Sequence, residues 1–535
     1  MMRKAWARLK SDNRGAVAPT VALALVALIA VGGIAFDYAH LATLDSELQD
    51  AADQAALAGA TQLDGQTGAI LRATAAARSL LAHSTLLAND GDSDLRAVTI
   101  PIVVFYTSRA DAEADTNPTA NPLLAKFVRV AVKPRRAFYA LTPIVGVFNS
   151  GDVSAEAVAG LGSAICKVPP VMICNPQETG TNLTFDATAL IVVGLRLVSV
   201  GGGNGSWVPG NFGYLDASGG SSGAPGLREA LGWNTPPGDC LKQTGVDSKP
   251  GATVSVTDAL NTRFDIYDSN VSCPTGGACG ASINSVKDVV RPANASGTNS
   301  CAIQNAGWQE GVSAAQYLPT SATLPLATAT TPAAMGHPRD MCHAVDAGTT
   351  GACSGPIGNG VWDRDAYFRT HYRRANGTRW SSAEWKTNTG LTDATAKRYA
   401  VYVWEIAQRG SVVDGVTVLG ASPSAATGNT LVAYGAPQCS AAEGYGTGAI
   451  PAATVVDRRR ISSAVVNCVQ QNLRGAATNL PVVKWIDLFL VQPSLNRTRT
   501  NAGDVYAEVI GETPSGARGT TAGQVVRRDT PYLIK

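Results

Sequence analysis

Gly219-Gly220-Ser221-Ser222-Gly223 fits the Gly-x-Ser-x-Gly pattern of a serine nucleophile. A hydrolase would need Ser221 raised on a strained strand-to-helix turn, with an acid and a histidine supplied from downstream. A short helix is expected over Gly226 to Leu231, and His337, His343 or His371 could act as base, with Asp340 orienting His343 or His371. A Gly/Ser-rich loop yields the same pattern by composition, and Ala224-Pro225 interrupts an immediate helix. A loop is therefore the expectation at Ser221, and an anchored serine hydrolase is kept only as an alternative.

Two further clusters invite chemistry. His337-Pro-Arg-Asp-Met-Cys342-His343 gathers three possible zinc ligands, but paired Cys-x-x-Cys spacing is missing and structural zinc needs four deprotonated ligands. Trp362-Asp363-Arg364-Asp365-Ala366-Tyr367-Phe368, followed by Tyr372, Trp380 and Trp385, mixes carboxylates with aromatics. A glycosidase needs two carboxyls set roughly 5 to 10 Å apart across a cleft, which neighbouring Asp363 and Asp365 do not specify. The aromatics are expected in the core, with a carbohydrate-binding or adhesive surface as the alternative. Arg458-Arg459-Arg460 is expected to pair with carboxylates, and neither a Gly-Lys-Ser/Thr phosphate loop nor His-Glu-x-x-His occurs. No catalytic residue, metal or cofactor is assigned.

What must position any such groups is anchored by Ala16 to Phe36, an uncharged apolar run that as a helix spans roughly 30 Å, the hydrocarbon core of a bilayer. Arg3, Lys4, Arg8, Lys10 and Arg14 precede it, while Asp37, Asp45, Glu47, Asp50, Asp53 and Asp64 come after it with no Lys or Arg before Arg72. That bias places the N-terminus in the cytoplasm and the bulk of the chain outside. A cleaved secretory signal is the rival reading; the long apolar run and the absence of a clear small-x-small site favour a retained anchor. With 535 residues and a formal net charge of +2, the chain is long enough for several cores and carries no nucleic-acid-binding charge.

The ten cysteines all lie at or beyond Cys166, as expected of staples formed in an oxidising compartment. Local pairing of Cys166 with Cys174 is expected across the Pro169-Pro170 turn. Short loops are expected from Cys273 with Cys279 and Cys342 with Cys353, and the set is completed by Cys439 with Cys468 and Cys240 with Cys301.

The membrane helix is expected to run on. Leu41, Leu44, Leu48, Ala51, Ala55 and Ala58 recur at spacings of three and four, a narrow seam able to pack against the chain's own globular part or against a partner helix. The same stalk offers a route to homo-oligomers. A second helix is expected over about Ala69 to Ala88, then strands around Val98 to Val104, Val128 to Val132 and Val153 to Gly160, with Pro101 placing the first at a sheet edge. Beyond Cys166, short apolar runs (Leu190 to Val200, Tyr399 to Ile406, Val412 to Leu419, Ile461 to Val469, Pro481 to Val491) are separated by Gly, Ser, Thr and Asn.

The fold class is therefore α+β: a cytoplasmic tip at residues 1–15, a transmembrane helix at 16–36, a helical stalk with a small pilin-like strand region at 37–165, and a large disulfide-stapled, loop-rich domain at 166–535.

Arg14-Gly-Ala-Val-Ala with the apolar span, Phe36-Asp-Tyr-Ala-His40, and Leu48-Gln-Asp-Ala-Ala-Asp-Gln-Ala-Ala-Leu-Ala-Gly59 resemble the N-terminal region of TadE/TadG-like proteins of the Flp (tight adherence) pilus system. Trp207 to Asp216, Leu260 to Asp265, Gly360 to Arg364, Asp457 to Ile461 and Val465 to Cys468 resemble the long periplasmic region of that family. The resemblance implies an inner-membrane-anchored structural or accessory component of pilus assembly, acting through contacts with other Flp/Tad proteins. Thr20 stands where a processed pilin commonly has an acidic residue, so cleavage after Gly15 is not expected. Some related proteins carry an Asp-x-Ser-x-Ser metal motif; Asp216-Ala-Ser218-Gly-Gly220 lacks its final serine.

Overall fold

The computed structural model of the chain describes residues 17–64, 67–79, 85–91, 97–199, 207–216, 223–238, 241–242, 245–249, 256–268, 272–292, 295, 300–304, 306–311, 316–420, 431–432, 435–439, 457–513 and 526–534. The chain divides into two compact units, one of Met1–Gly162 with Asp529–Lys535, the other of Ser163–Arg528. The last strand thus belongs with the smaller unit, whereas the sequence pattern alone groups all of 166–535 together.

The smaller unit is built on one helix, α1, Val17–Ala60, 44 residues long and about 66 Å from end to end. Nothing inside it breaks helical hydrogen bonding: Pro19, the one proline, sits in the first turn, where its missing N–H is harmless. Its first half is exposed almost throughout, and its second half is buried on one side. Helix α2, Ala69–Ser79, packs its Ala69, Ala73 and Ala77 face inward. The chain then enters a sheet of β1 (Ile102–Tyr106), β2 (Phe127–Ala131) and β3 (Glu156–Cys166), with the short helix α3 (Arg109–Ala114) after β1. Neighbours β1 and β2, and β2 and β3, are antiparallel, and the C-terminal strand Val526–Leu533 completes the row beside β3. Strand β1 lies at the edge, the position to which Pro101 confines it.

The second helix is shorter than the sequence suggests. Its described part runs to Ser79, and Thr85 to Ala88, expected within the helix, belong instead to a loop, Thr85 to Gly91, held by side chains. Thr85 donates to the Glu47 carboxylate at 2.7 Å, His40 Nε2 meets the Leu87 carbonyl at 2.8 Å, and Asp90 pairs with buried Arg135 at 2.9 Å. These tertiary partners compete with the helix for the same segment that local propensity would extend.

The larger unit is organised by a ring of strands: β4 (Val171–Cys174), β5 (Gly194–Ser199), β6 (Asn211–Tyr214), β8 (Arg460–Val466), β9 (Ala477–Leu490) and β10 (Asp504–Glu512), with β7 (Gly245–Ser248) added outside β9. Successive partners run β8, β4, β6, β5, β10, β9 and back to β8. Each ring strand therefore has a neighbour on both sides, and the ring leaves no free edge. Two pairings, β8 with β4 and β5 with β6, are parallel; the others are antiparallel. Val171, Ile173, Leu195, Leu197, Phe212, Ile461, Val465, Ile486, Leu488 and Val505 point into one continuous core.

A second core gathers Trp362, Tyr367, Phe368, Tyr372, Trp380 and Trp385 around helices α4 (Arg364–His371), α5 (Ser382–Thr389) and α6 (Arg398–Ala407). Helix α4 is capped by Asp363 and α5 by a Ser381–Glu384 capping box, which fixes where each begins. Of the apolar runs read from sequence, Tyr399 to Ile406 is a helix, while Val412 to Leu419 folds into a small hairpin.

Disulfides join segments far apart in sequence. Cys174 bonds Cys468 across 294 residues and Cys301 bonds Cys439 across 138, while Cys273–Cys279 and Cys342–Cys353 close short loops. Three expected pairings are thereby corrected: Cys166 with Cys174, Cys439 with Cys468, and Cys240 with Cys301. The reason is register. Parallel pairing of β8 with β4 sets Val466 opposite Cys174, bringing Cys468 alongside, a proximity no loop-length argument reveals. Cys166 is itself disulfide-bonded, and Cys240 lies outside the described residues.

Candidate functional site

Of the seam residues, Leu44, Leu48, Ala51, Ala55 and Ala58 are buried and Leu41 is half-buried. Leu44, Leu48, Ala51 and Ala55 face the chain's own sheet, in one core with Val128, Val130, Ala157 and Ala159. Small side chains let α1 come close: a Cβ on Gly59 would stand 3.4 Å from the Ala73 carbonyl and 3.5 Å from Val128. As a docking face for another protein, the seam is thus already occupied. What α1 leaves free beyond the apolar half is its opposite side, with Tyr38, Ala42, Asp45, Ser46 and Asp50 exposed.

At the junction of the two halves stands Asp37, a buried carboxylate. Its oxygens accept from the amides of Ala140 (3.0 Å), Leu141 (2.9 Å) and Thr142 (2.6 Å) and from the Thr142 hydroxyl (2.6 Å). These belong to the tip of a hairpin linking β2 to β3, in which the Tyr139 amide donates to the Phe148 carbonyl at 3.0 Å and a short 3-10 turn covers Thr142–Val145. One turn earlier on α1, a Cβ at Gly33 would lie 2.8 Å from that of Leu141, so a glycine is what admits the tip. In sequence Asp37 is only one member of an acidic flank. A signal for the hairpin does exist there: no charged residue occurs between Arg136 and Asp152, and Phe138, Tyr139, Leu141, Val147 and Phe148 fall in that interval.

In the larger unit, the residues that suggested chemistry are committed to structure. His337 is buried with its Nε2 3.3 Å from the Glu405 carboxylate, and Arg459 points a guanidinium nitrogen at its Nδ1, 3.4 Å away. An arginine can only donate, so Nδ1 accepts and Nε2 carries the proton offered to Glu405. Burial pushes the His337 pKa down to about 4, leaving it neutral. Burial opposes ionisation of Glu405, but hydrogen bonds from His337 and Tyr367 hold its pKa below the ordinary value; Tyr372 and Asn284 also donate to it, at 2.9 and 2.6 Å. His371 meets the Met335 carbonyl and His343 the Gly355 carbonyl at 2.9 Å. Asp340 pairs with fully buried Arg398, which also binds Glu508 at 2.8 Å. The second Asp340 oxygen accepts from the Gly194 and Gly360 amides at 3.1 and 2.6 Å. Ser221, Ser218 and Gly220 lie outside the described residues.

The metal and carbohydrate readings meet direct obstacles. Cys342, His343 and Cys353 come together, yet the two sulfurs are bonded to each other and cannot serve as thiolate ligands. Trp362, Trp380 and Trp385 are fully buried, Trp385 stacking on Phe368 at 4.9 Å and Trp380 on Tyr372 at 4.3 Å. They build a core and offer no platform to a sugar. The arginine triplet also turns inward. Arg460 pairs with Asp487, as expected, but Arg458 donates to the Gly280 and Gly232 carbonyls. Arg459 donates to Leu490 and Val491 while lying over the Phe264, Tyr402 and Phe489 rings.

No curated protein and no solved structure matches the chain. A family model does, over residues 15–62, which take in the whole membrane-length half of α1, Asp37 and the seam. By that match residues 15–62 are similar to the TadE/G-like family of Flp pilus-assembly proteins, and the rest of the chain lies outside it.

Proposed function

We propose that the chain is a single-pass, inner-membrane-anchored structural component of Flp pilus assembly, with its N-terminus cytoplasmic, its two folded units outside the membrane, and no turnover chemistry of its own. The observation that carries the reading is that α1 is one continuous helix whose family-matched length divides in two. Val21, Leu23, Leu25, Val26, Leu28, Ile29, Val31 and Ile34 are exposed in the first half, and large apolar side chains left in water each cost roughly 1.5 to 3 kcal/mol relative to burial. A bilayer removes that cost. The second half is embedded in the smaller unit's core, so force or position at the membrane is transmitted to a folded body without a flexible joint.

Partner contact is assigned to the exposed side of α1, through Tyr38, Ala42, Asp45 and Asp50, in place of the inward-facing seam. The disulfide pattern supports an oxidising location for the larger unit. The test is fractionation of cells making the full chain, protease accessibility in spheroplasts, and photocrosslinking from Tyr38, Ala42 and Asp45. Carbonate-resistant membrane association, digestion of both folded units from outside and capture of other Flp proteins are expected. Recovery in the soluble fraction, or protection of both units in intact spheroplasts, would overturn the assignment.

A further inference from the structure

The hairpin tip beside Gly33 and Asp37 presents an uncharged, apolar surface. Phe138, Leu141, Val147 and Phe148 are exposed, Phe148 at 63%, and they project from a segment with no charge between Arg136 and Asp152. In water such a cluster is costly.

Its height is set by α1. Leu141 touches the helix at Gly33, which is inside the apolar span and about 5 Å below its end at Phe36 by the rise of a helix. Resting on the anchoring proposed above, we infer that the tip of the Phe138–Phe148 hairpin inserts into the outer leaflet next to the transmembrane helix. Its occupant is lipid, at the boundary between headgroups and acyl chains.

Three features fit that medium. A depth of about 5 Å lies in the range over which interfacial segments bury their apolar faces. Irregular backbone can enter the boundary only if its polar groups are satisfied. Here Asp37 receives the amides of Ala140, Leu141 and Thr142, Pro143 has none, and the Gly146 amide donates to the Pro143 carbonyl at 3.0 Å. Aromatic residues stand on both elements, Phe36 and Tyr38 on α1, both exposed, and Phe138, Tyr139 and Phe148 on the hairpin, the residue types that collect at a membrane interface. At the base of the hairpin, away from the bilayer, the charges return as pairs, Arg135 with Asp90 and Arg136 with Asp152. The helix and the hairpin thus hold the smaller unit at two points, which fixes its tilt and rotation on the membrane.

The test is spin-label depth measurement on the full chain in phosphatidylcholine/phosphatidylglycerol nanodiscs. No described cysteine is free, so Val147→Cys and Phe148→Cys each introduce one exposed labelling site, with Leu25→Cys as the membrane reference and exposed Val412→Cys as the aqueous one. Oxygen collisions are expected to exceed those of a water-soluble nickel chelate at positions 147 and 148, with the sign found at 25 and opposite to that at 412. A deep label at 25 with aqueous labels at 147 and 148 would overturn the hairpin insertion and leave the anchor intact. Labels at 147 and 148 shielded from both relaxants would assign the patch to a protein contact and overturn it equally. An aqueous label at 25 would remove the anchor and this inference with it.

Discussion

Leu48→Ala separates the two readings of the α1 seam. Leu48 is fully buried in the core it shares with Val128, Val130 and Ala157. The substitution removes three carbons, and at about 0.8 kcal/mol for each buried methylene the transfer loss alone is about 2.4 kcal/mol. The neighbouring Ala51, Ala52 and Ala55 are too short to refill the space, so a cavity adds to this and the total falls within the roughly 2 to 5 kcal/mol seen for such truncations. A loss of about 2.4 kcal/mol raises the opening equilibrium about fifty-fold. Native-state hydrogen exchange on the purified full chain in detergent reads it: the amides of Val128 to Ala131 should exchange at least that much faster, while those of Ile461 to Val466 in the other unit stay unchanged. Unaltered exchange in β2 of the isolated protein, with only the capture of partner proteins lost, would refute the buried seam. In that event the seam would be a docking face.

Asp37→Asn removes one acceptor oxygen from the clasp on Ala140, Leu141 and Thr142, and these amides should exchange about tenfold faster with the helix itself unaffected; unchanged protection would refute the clasp. Peptide mapping under non-reducing conditions should recover Cys174 linked to Cys468 and Cys301 to Cys439, and a Cys439–Cys468 peptide would contradict the strand register of β8. The larger unit should lose stability on acidification. His337 is held near 4 in the fold and titrates near 6.5 when unfolded, so its contribution is complete above about pH 6.5 and is lost as the pH falls toward 4. His343 and His371 shift in the same direction. Melting temperatures measured between pH 7 and 4.5 should fall, less steeply in His337→Gln, and a flat profile would refute the neutral-histidine assignment.

Much of the smaller unit is legible because its signals are local. The uncharged run, the seam at spacings of three and four, the alternating Val128 to Val132 and the strand-demoting Pro101 each act within a few residues. The partner of the seam is not legible, because a narrow small-residue stripe fits a sheet of the same chain as well as a foreign helix. Asp37 looks like one acid among six, and only the return of the chain a hundred residues later makes it a clasp.

The larger unit is legible in composition and opaque in arrangement. Trp362, Trp380 and Trp385 invite a sugar-binding surface, and His337 with Cys342 and His343 a metal. Their actual neighbours, Phe368 and Tyr372 for the rings and Glu405 with Arg459 for His337, come from separate helices and strands. The same holds for Cys174 and Cys468, which meet because β4 and β8 run parallel.

A membrane-length helix, its continuation as an amphipathic stalk and the confinement of cysteines to positions 166 and beyond are all readable in the residues alone, since each depends on length, period or charge along a single segment. Which face of the stalk is free, which cysteines join, and which histidines and aromatics are spent on packing were decided only by the tertiary structure. Those outcomes depend on pairings between residues tens to hundreds of positions apart, where the energy of closing one contact is fixed by all the others that the fold closes with it.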